Sequence, residues 1–173
     1  ATLKALKERG EIQAIGAGVN HVGMIPRFLE HFDIDYFLVA MPYTLLDQSA
    51  LDSELPLCQE RGVSIIVGAV FASGILATGA TTGSVYGYLP ADGPTMDRVR
   101  PMEAVCRRHG VPLAAAALQF PLGHPQVVSV IPGANSPQQV LQNLSNAQQP
   151  IPVELWAELK QEGLLRPDVP TPG

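Results

Sequence analysis

Charge is the first thing this sequence has little of. Only 16% of its 173 residues are charged, and 11 Lys and Arg against 16 Asp and Glu leave a net charge of −5. A protein that grips a nucleic-acid backbone or an anionic membrane needs a dense basic surface, so neither is an expected partner. Cysteine is nearly missing. Cys58 and Cys106 stand far apart, both in helical patterns and in no metal-ligand spacing, which predicts reduced thiols and no metal site. That usage fits a cytoplasmic, reducing compartment. No hydrophobic run approaches the roughly 18 apolar residues that span a bilayer. No secretory signal is visible, because ATLKALKERGEI reads as the end of an amphipathic helix. An initiator Met is lacking and the chain opens inside an element, so the expectation is a partial sequence or a natural truncation.

What the sequence has in abundance is Gly and Pro, 16 of each, spread along the chain as punctuation between many short elements. Hydrophobic residues make up 46%, enough for one globular domain with a core. Strands are predicted over Ile12 to Ile15, Tyr36 to Ala40, Val63 to Phe71 and Val127 to Ile131. Helical patterns cover Thr2 to Arg9, Met24 to Phe32, Ser53 to Arg61, Met96 to His109, Pro112 to Phe120, Ser136 to Asn146 and Glu154 to Glu162. Pro101 should kink or split the helix it falls in. Leu76 to Thr95, rich in Gly, Thr and Pro, reads as a long functional or mobile loop carrying Tyr86 and Tyr88. The terminal PDVPTPG reads as a frayed tail. Short strands that are apolar on both faces, each followed by a helix, specify an α/β protein with a parallel sheet. An open doubly wound sheet and a (β/α) barrel both satisfy that pattern.

In α/β folds the working groups gather at the carboxyl ends of the strands. The four endings are GAGVN (16–20), MPYTLLDQ (41–48), ASGILATG (72–79) and PGANS (132–136), all rich in Gly, Ser, Asn or Thr. Each alone reads as a tight turn, and none offers a nucleophile with a base, a carboxylate pair or a metal cluster. The most informative is VIPGANSPQQVLQNLSN. Ser136 stands where an N-cap belongs and Pro137 at the first helical position. Gly133 and Ala134 leave space before the positive end of that helix, the ingredients of a phosphate site. Ser136 as a plain N-cap explains part of the same pattern.

Taken in order, GEIQAIGAGVN, DYFLVAMPYTLLDQ, GVSIIVGAVFASGILATG and VVSVIPGANSPQQVLQNL resemble the C-terminal half of an aldo/keto reductase. The resemblance covers nearly the whole chain, with YTLLDQ, SGILATG and IPGA its most specific parts, and is nearest to the branch of NAD-dependent aldose and pyridoxal dehydrogenases. It implies strands five to eight of a (β/α)8 TIM barrel, with residues 1–173 as one incomplete domain. It also implies a nicotinamide dinucleotide bound in extended form. Asn20 matches the polar residue that holds the nicotinamide carboxamide, and Ala69, Phe71 and Ser73 fall on the loop that wraps the pyrophosphate. Gly68 falls where many relatives have an aromatic that stacks on nicotinamide, and Ala40 where many have Gln. Gly133, Ala134, Asn135, Gln139, Gln142 and Asn143 fall around the adenosine end, with Gln142 and Asn143 at adenine-binding positions. Relatives that use NADP place Lys and Arg at the positions of Gly133 and Gln139. A 2′-phosphate carries roughly two negative charges and needs such partners. Neither position is basic here, so NAD is expected over NADP.

The family's catalytic tetrad of Asp, Tyr, Lys and His comes from the other half of the barrel, and no match for it is found here. The parent enzyme is expected to oxidise a small-molecule sugar or aldehyde, an aldose at C1 to its lactone. The 173 residues alone are expected to be inactive. His21, His31, His109 and His124 read as surface or structural residues, and Tyr43 as a pocket or packing residue. A half-barrel would expose apolar edges at its first and last strands, and the piece is expected to self-associate. The alternatives are a standalone nucleotide-binding or scaffold protein without catalysis, and a small open α/β domain with no nucleotide.

Overall fold

The computed structural model describes residues 2–173. The order is α1 (Thr2–Glu8), β1 (Gly16–Val19), α2 (Met24–Leu29), β2 (Tyr36–Ala40), α3 (Glu54–Arg61), β3 (Ser64–Gly68), α4 (Ile75–Thr78), β4 (Val85–Tyr86), β5 (Leu89–Pro90), α5 (Gly93–Arg108), α6 (Leu113–Gln119), β6 (Val127–Ile131), α7 (Pro137–Gln148) and α8 (Val153–Gln161). Strands β1, β2, β3 and β6 form a parallel sheet in that order, and β4 and β5 a small antiparallel ribbon.

Burial alternates along the central strands. Phe37 and Val39 of β2 and Ile65 and Val67 of β3 are buried in one core with Leu55 and Cys58 of α3 and Met102 and Val105 of α5. Tyr36, Leu38 and Ala40 of β2, and Ser64 and Ile66 of β3, lie half-exposed on the opposite face. The helices therefore cover one face of the sheet. A doubly wound sheet would have both faces covered, whereas a barrel strand turns one face outward to helices and the other inward. Burial pushes the Cys58 thiol up to about 11 and the Cys106 thiol up to about 12, which makes both unreactive core groups.

The first strand is displaced from its predicted position. Ile15 is tied to Asp35, donating its N–H to Oδ2 at 2.7 Å and accepting the Asp35 N–H at 2.8 Å, and ladder pairing begins one residue later at Gly16 opposite Tyr36. A side chain at Gly16 would collide with the Tyr36 ring, so this glycine belongs to the sheet and not to a turn after it. Asp35 also accepts a hydrogen bond from Lys7, which with the Ile15 N–H holds its carboxyl below the usual range.

Pro101 neither ends nor divides α5, which runs 16 residues without interruption. It forfeits one backbone bond, but Val99, Met102, Val105 and Cys106 on both sides of it are buried in the same core. The long loop predicted between Leu76 and Thr95 is half regular structure, containing most of α4, the β4–β5 ribbon and the start of α5. The C-terminal tail is not frayed either. Leu165 and Val169 are buried, and the tail crosses Gly123 so closely that a Cβ there would strike the backbone of Thr171 and Pro172.

Tyr43 and His124 form part of the core's floor. Tyr43 is fully buried, with its ring 5.4 Å from that of Phe120 and 5.7 Å from the His124 imidazole. Tyr43 is thus a packing residue. Burial lowers the His124 pKa, and its Nδ1 accepts the Gln126 N–H at 3.2 Å, an arrangement that requires the neutral ring. A histidine whose folded pKa lies below its unfolded value contributes stability in full above the unfolded value of about 6.5 and loses it as pH falls. Denaturant midpoints should therefore drop between about pH 7 and pH 5. His124→Asn keeps an acceptor for Gln126 without a titrating ring and should make that drop shallower. An unchanged slope would show that His124 does not contribute.

Candidate functional site

The loop after β3 carries an unusual backbone. Ala69, Ala72 and Ser73 all have positive φ (53°, 48° and 61°), a region that costs an L-residue about 1 kcal/mol or more. The loop is held in this state by tight local bonds. The Ala72 N–H donates to the Ala69 carbonyl at 2.7 Å and the Gly74 N–H to the Phe71 carbonyl at 2.9 Å. Ser73 Oγ accepts the N–H of Tyr88, at the tip of the β4–β5 ribbon, at 3.2 Å. Tyr88 also has positive φ and is 83% exposed, so the ribbon reaches the loop by backbone while Tyr88 itself stands largely in solvent at the rim of the cavity described below.

The segment after β6 faces this loop. Ser136 caps α7 by accepting the Gln139 N–H at 3.3 Å, and Pro137 occupies the first helical position. Gln139 reaches back, its Oε1 accepting the Asn135 N–H at 2.6 Å, in the manner of a capping box. Asn143 Nδ2 donates to the Gly133 carbonyl at 3.1 Å. A Cβ placed on Gly133 would meet nothing within 4 Å, so the space in front of this loop is open.

Between the two segments lies a cavity of about 600 Å³ at the carboxyl ends of β3 and β6. Nine of the sequence-predicted residues line it: Ala69, Phe71, Ser73, Gly133, Ala134, Asn135, Gln139, Gln142 and Asn143. Asn20 does not. It is exposed directly after β1, two strands away from β3 in the sheet. Residues not foreseen as site residues also line the cavity, among them Gly74, Ala77, Thr78, Ala114 and Asn146. Asn146 carried no distinguishing signal, since a polar residue late in an amphipathic helix ordinarily faces solvent. Among the described residues, none that lines the cavity is charged. An anion there would be met by N–H groups, amides, hydroxyls and the positive end of α7, and not by a cation.

The histidines sit elsewhere. His21 and His31 are exposed, His124 is in the core, and His109 Nε2 is 2.5 Å from Glu158 on α8. Among the described residues there is no cluster of His, Cys, Asp and Glu that could hold a metal, and no helix is long and apolar enough to cross a membrane.

Comparison with known proteins agrees with this architecture. The chain is 40% identical over 163 residues to pyridoxal 4-dehydrogenase of Microbacterium luteolum, an alignment spanning 94% of the chain and 48% of the relative. It is 39% identical over 173 residues to D-threo-aldose 1-dehydrogenase of a Pseudomonas species, spanning 98% of the chain and 51% of the relative. The chain thus spans about half the length of the curated relatives it matches. Its structure superposes on the aldo-keto reductase AKR11C1 from Bacillus halodurans (holo form) with a TM-score of 0.67 at 25% identity, covering 96% of the chain and 55% of that protein. Residues 1–162 match the profile described as the Aldo/keto reductase family, and on these grounds the chain belongs to the aldo/keto reductase family.

Proposed function

We propose that this chain is the cofactor-binding, C-terminal half of a (β/α)8 barrel, strands five to eight, within an NAD-preferring aldose 1-dehydrogenase that converts a sugar to its lactone. Residues 1–173 then form one incomplete domain of that enzyme. The reading rests above all on the charge-free cavity between the loop after β3 and the segment after β6. Support also comes from the single helix-covered face of the sheet and the half-length match to the relatives.

The residues present fit a dinucleotide. The open space at Gly133 accommodates an adenosine, and the absence of a cation among the cavity's lining residues suits a ribose without a 2′-phosphate. Ala69, Phe71 and Ser73 would hold the pyrophosphate, and Gly133, Ala134, Asn135, Gln139, Gln142 and Asn143 the adenosine end. Asn20 would orient the nicotinamide. It stands two strand spacings from β3, roughly 10 Å, a separation that suits an extended ligand lying across the strand ends. When bound, the nicotinamide supplies the hydride acceptor. This half of the barrel contributes binding and orientation, and the proton transfer falls to the tetrad expected on the other half.

The test is titration of NAD into the protein expressed from its complete reading frame, followed by assays of NAD reduction with L-fucose, D-arabinose, galactose and pyridoxal. Saturable NAD binding with turnover of an aldose is expected, and the 173 residues alone should give no turnover. Absence of NAD binding would sink the reading. Binding without turnover of any of the four would favour a nucleotide-binding protein without catalysis.

A further inference from the structure

Glu54 places a carboxylate where packing alone does not call for one. It is the first residue of α3 and is fully buried. A charged side chain is seldom buried to that degree without compensation. Its Oε1 accepts the Gly23 N–H at 2.7 Å and the Ile25 N–H at 3.4 Å. Its Oε2, also buried, finds no partner among the described residues. A leucine of similar size would fill the same space without stranding an oxygen. What a leucine could not do is accept those two N–H groups.

Both N–H groups belong to the junction of β1 and α2. Gly23 stands at the N-cap of α2 with a φ of 89° and has no side chain with which to cap the helix. Glu54 takes over that task from α3, reaching the Ile25 N–H in the first turn of α2. The turn before the helix has little else to hold it. Residues 20–23 are all exposed, and among the described residues the Gly23–Glu54 bond is the only hydrogen bond that ties them to a distant part of the chain. The upstream end is fixed separately, since Val19 is buried and pairs with Val39 of β2. Asn20, the first residue past the sheet, therefore lies on a short span between two anchors, the strand and Glu54.

We infer that Glu54 is a positioning residue for Asn20: by binding the Gly23 and Ile25 N–H groups it holds the exposed turn after β1 in the shape that lets Asn20 meet the nicotinamide end of the dinucleotide. The inference rests on the proposed reading of the strand ends as a dinucleotide site with Asn20 at its nicotinamide end.

The experiment compares the affinities for NAD and for ADP-ribose, which has the adenosine and the pyrophosphate but no nicotinamide, using the protein from its complete reading frame. Asn20→Ala should lower the ratio of NAD affinity to ADP-ribose affinity by about threefold to tenfold, the effect of one neutral hydrogen bond. Glu54→Leu should lower that ratio by a similar factor while ADP-ribose binding stays near the wild-type value. The double variant should be no lower than Asn20→Ala alone, because the two residues act on one contact. Glu54→Gln keeps an acceptor for the Gly23 N–H and should recover most of the ratio. If Glu54→Leu does not fold, Glu54→Met, which adapts more readily to its surroundings, gives the same readout. A merely structural role would weaken both ligands together and would add to the loss from Asn20→Ala. The inference is overturned if the two losses multiply in the double variant, if Glu54→Leu weakens NAD and ADP-ribose equally or neither, if Glu54→Gln falls as low as Glu54→Leu, or if Asn20→Ala leaves the ratio unchanged. In each of these cases the dinucleotide cavity itself stands. A wild type that binds neither ligand overturns both.

Discussion

A Gly133→Lys, Gln139→Arg double variant should bind NADP more tightly than NAD. The wild-type cavity has no cation among its lining residues, so an added 2′-phosphate would bring roughly two negative charges to a surface that offers only amides and hydroxyls. Two basic side chains change that balance. Each charge-assisted bond is worth about 1.5–3 kcal/mol, and each 1.4 kcal/mol is tenfold, so the shift in the ratio of affinities is expected to be at least two orders of magnitude. The backbone permits the change. Gly133 does not adopt a positive φ, and a Cβ there meets nothing within 4 Å, so a lysine enters without strain. Gln139→Arg carries a cost, because Gln139 Oε1 holds the Asn135 N–H at 2.6 Å. Losing that contact should lower stability by about 0.5–1 kcal/mol, which the thermal midpoint would report. Equilibrium titrations of both cofactors against wild type, each single variant and the double variant decide the matter. If NADP affinity does not rise with either basic residue, the 133–139 segment does not lie at the ribose.

This segment was legible because its signals are local. Pro-Gly ends a strand, Ser136-Pro137 opens a helix, and capping geometry follows from residue type alone. The loop after β3 was legible in position but not in conformation. Nothing in the letters of Ala69, Ala72 or Ser73 announces a left-handed backbone, since these are residues that normally avoid it and are held there by surrounding bonds. Tertiary facts were hidden for the same reason. The first strand slipped from Ile12–Ile15 to Gly16–Val19 because Asp35, 20 residues away from Ile15, takes its backbone N–H. The terminal PDVPTPG looks like a tail by composition, yet Gly123 makes a bed for it. Asn146 and Gln142 are ordinary helix letters until α6 is seen to bury one of them. Which face of the sheet would be covered could not be read either, since strands apolar on both faces suit a barrel and a doubly wound sheet equally.

The open face of the sheet leads to the second large expected effect: the 173-residue chain, expressed by itself, should not remain a monomer. Strands β1 and β6 are the two edges of the parallel sheet, and beyond them, among the described residues, no further strand pairs. Edge backbone groups that find no partner within a chain readily find one in another. At the β6 edge the exposure is also apolar. Val128 and Ile131 of β6 are 61% and 53% exposed, and on α7, the next element along the chain, Leu141 and Leu144 are also exposed. Fully burying a side chain of this size is worth about 1.5–3 kcal/mol, so half-burial of four such residues in a symmetric pair offers several kcal/mol per copy before any ladder bonds form. Two copies together gain about 6–12 kcal/mol, of the order of the roughly 8 kcal/mol of a micromolar complex, and ladder bonds between the edges help offset the entropic cost of association. Sedimentation velocity of the isolated chain should show a dimer or larger species, and Val128→Lys with Leu141→Glu should shift it toward monomer without changing the helical signal. The same two substitutions in the protein from its complete reading frame should instead destabilise it, because there the face is expected to lie against the other half of the barrel. A compact monomer of the wild-type chain, unmoved by the charges, would mean that β6 and α7 are a finished surface and that the half-barrel account of this sheet is wrong.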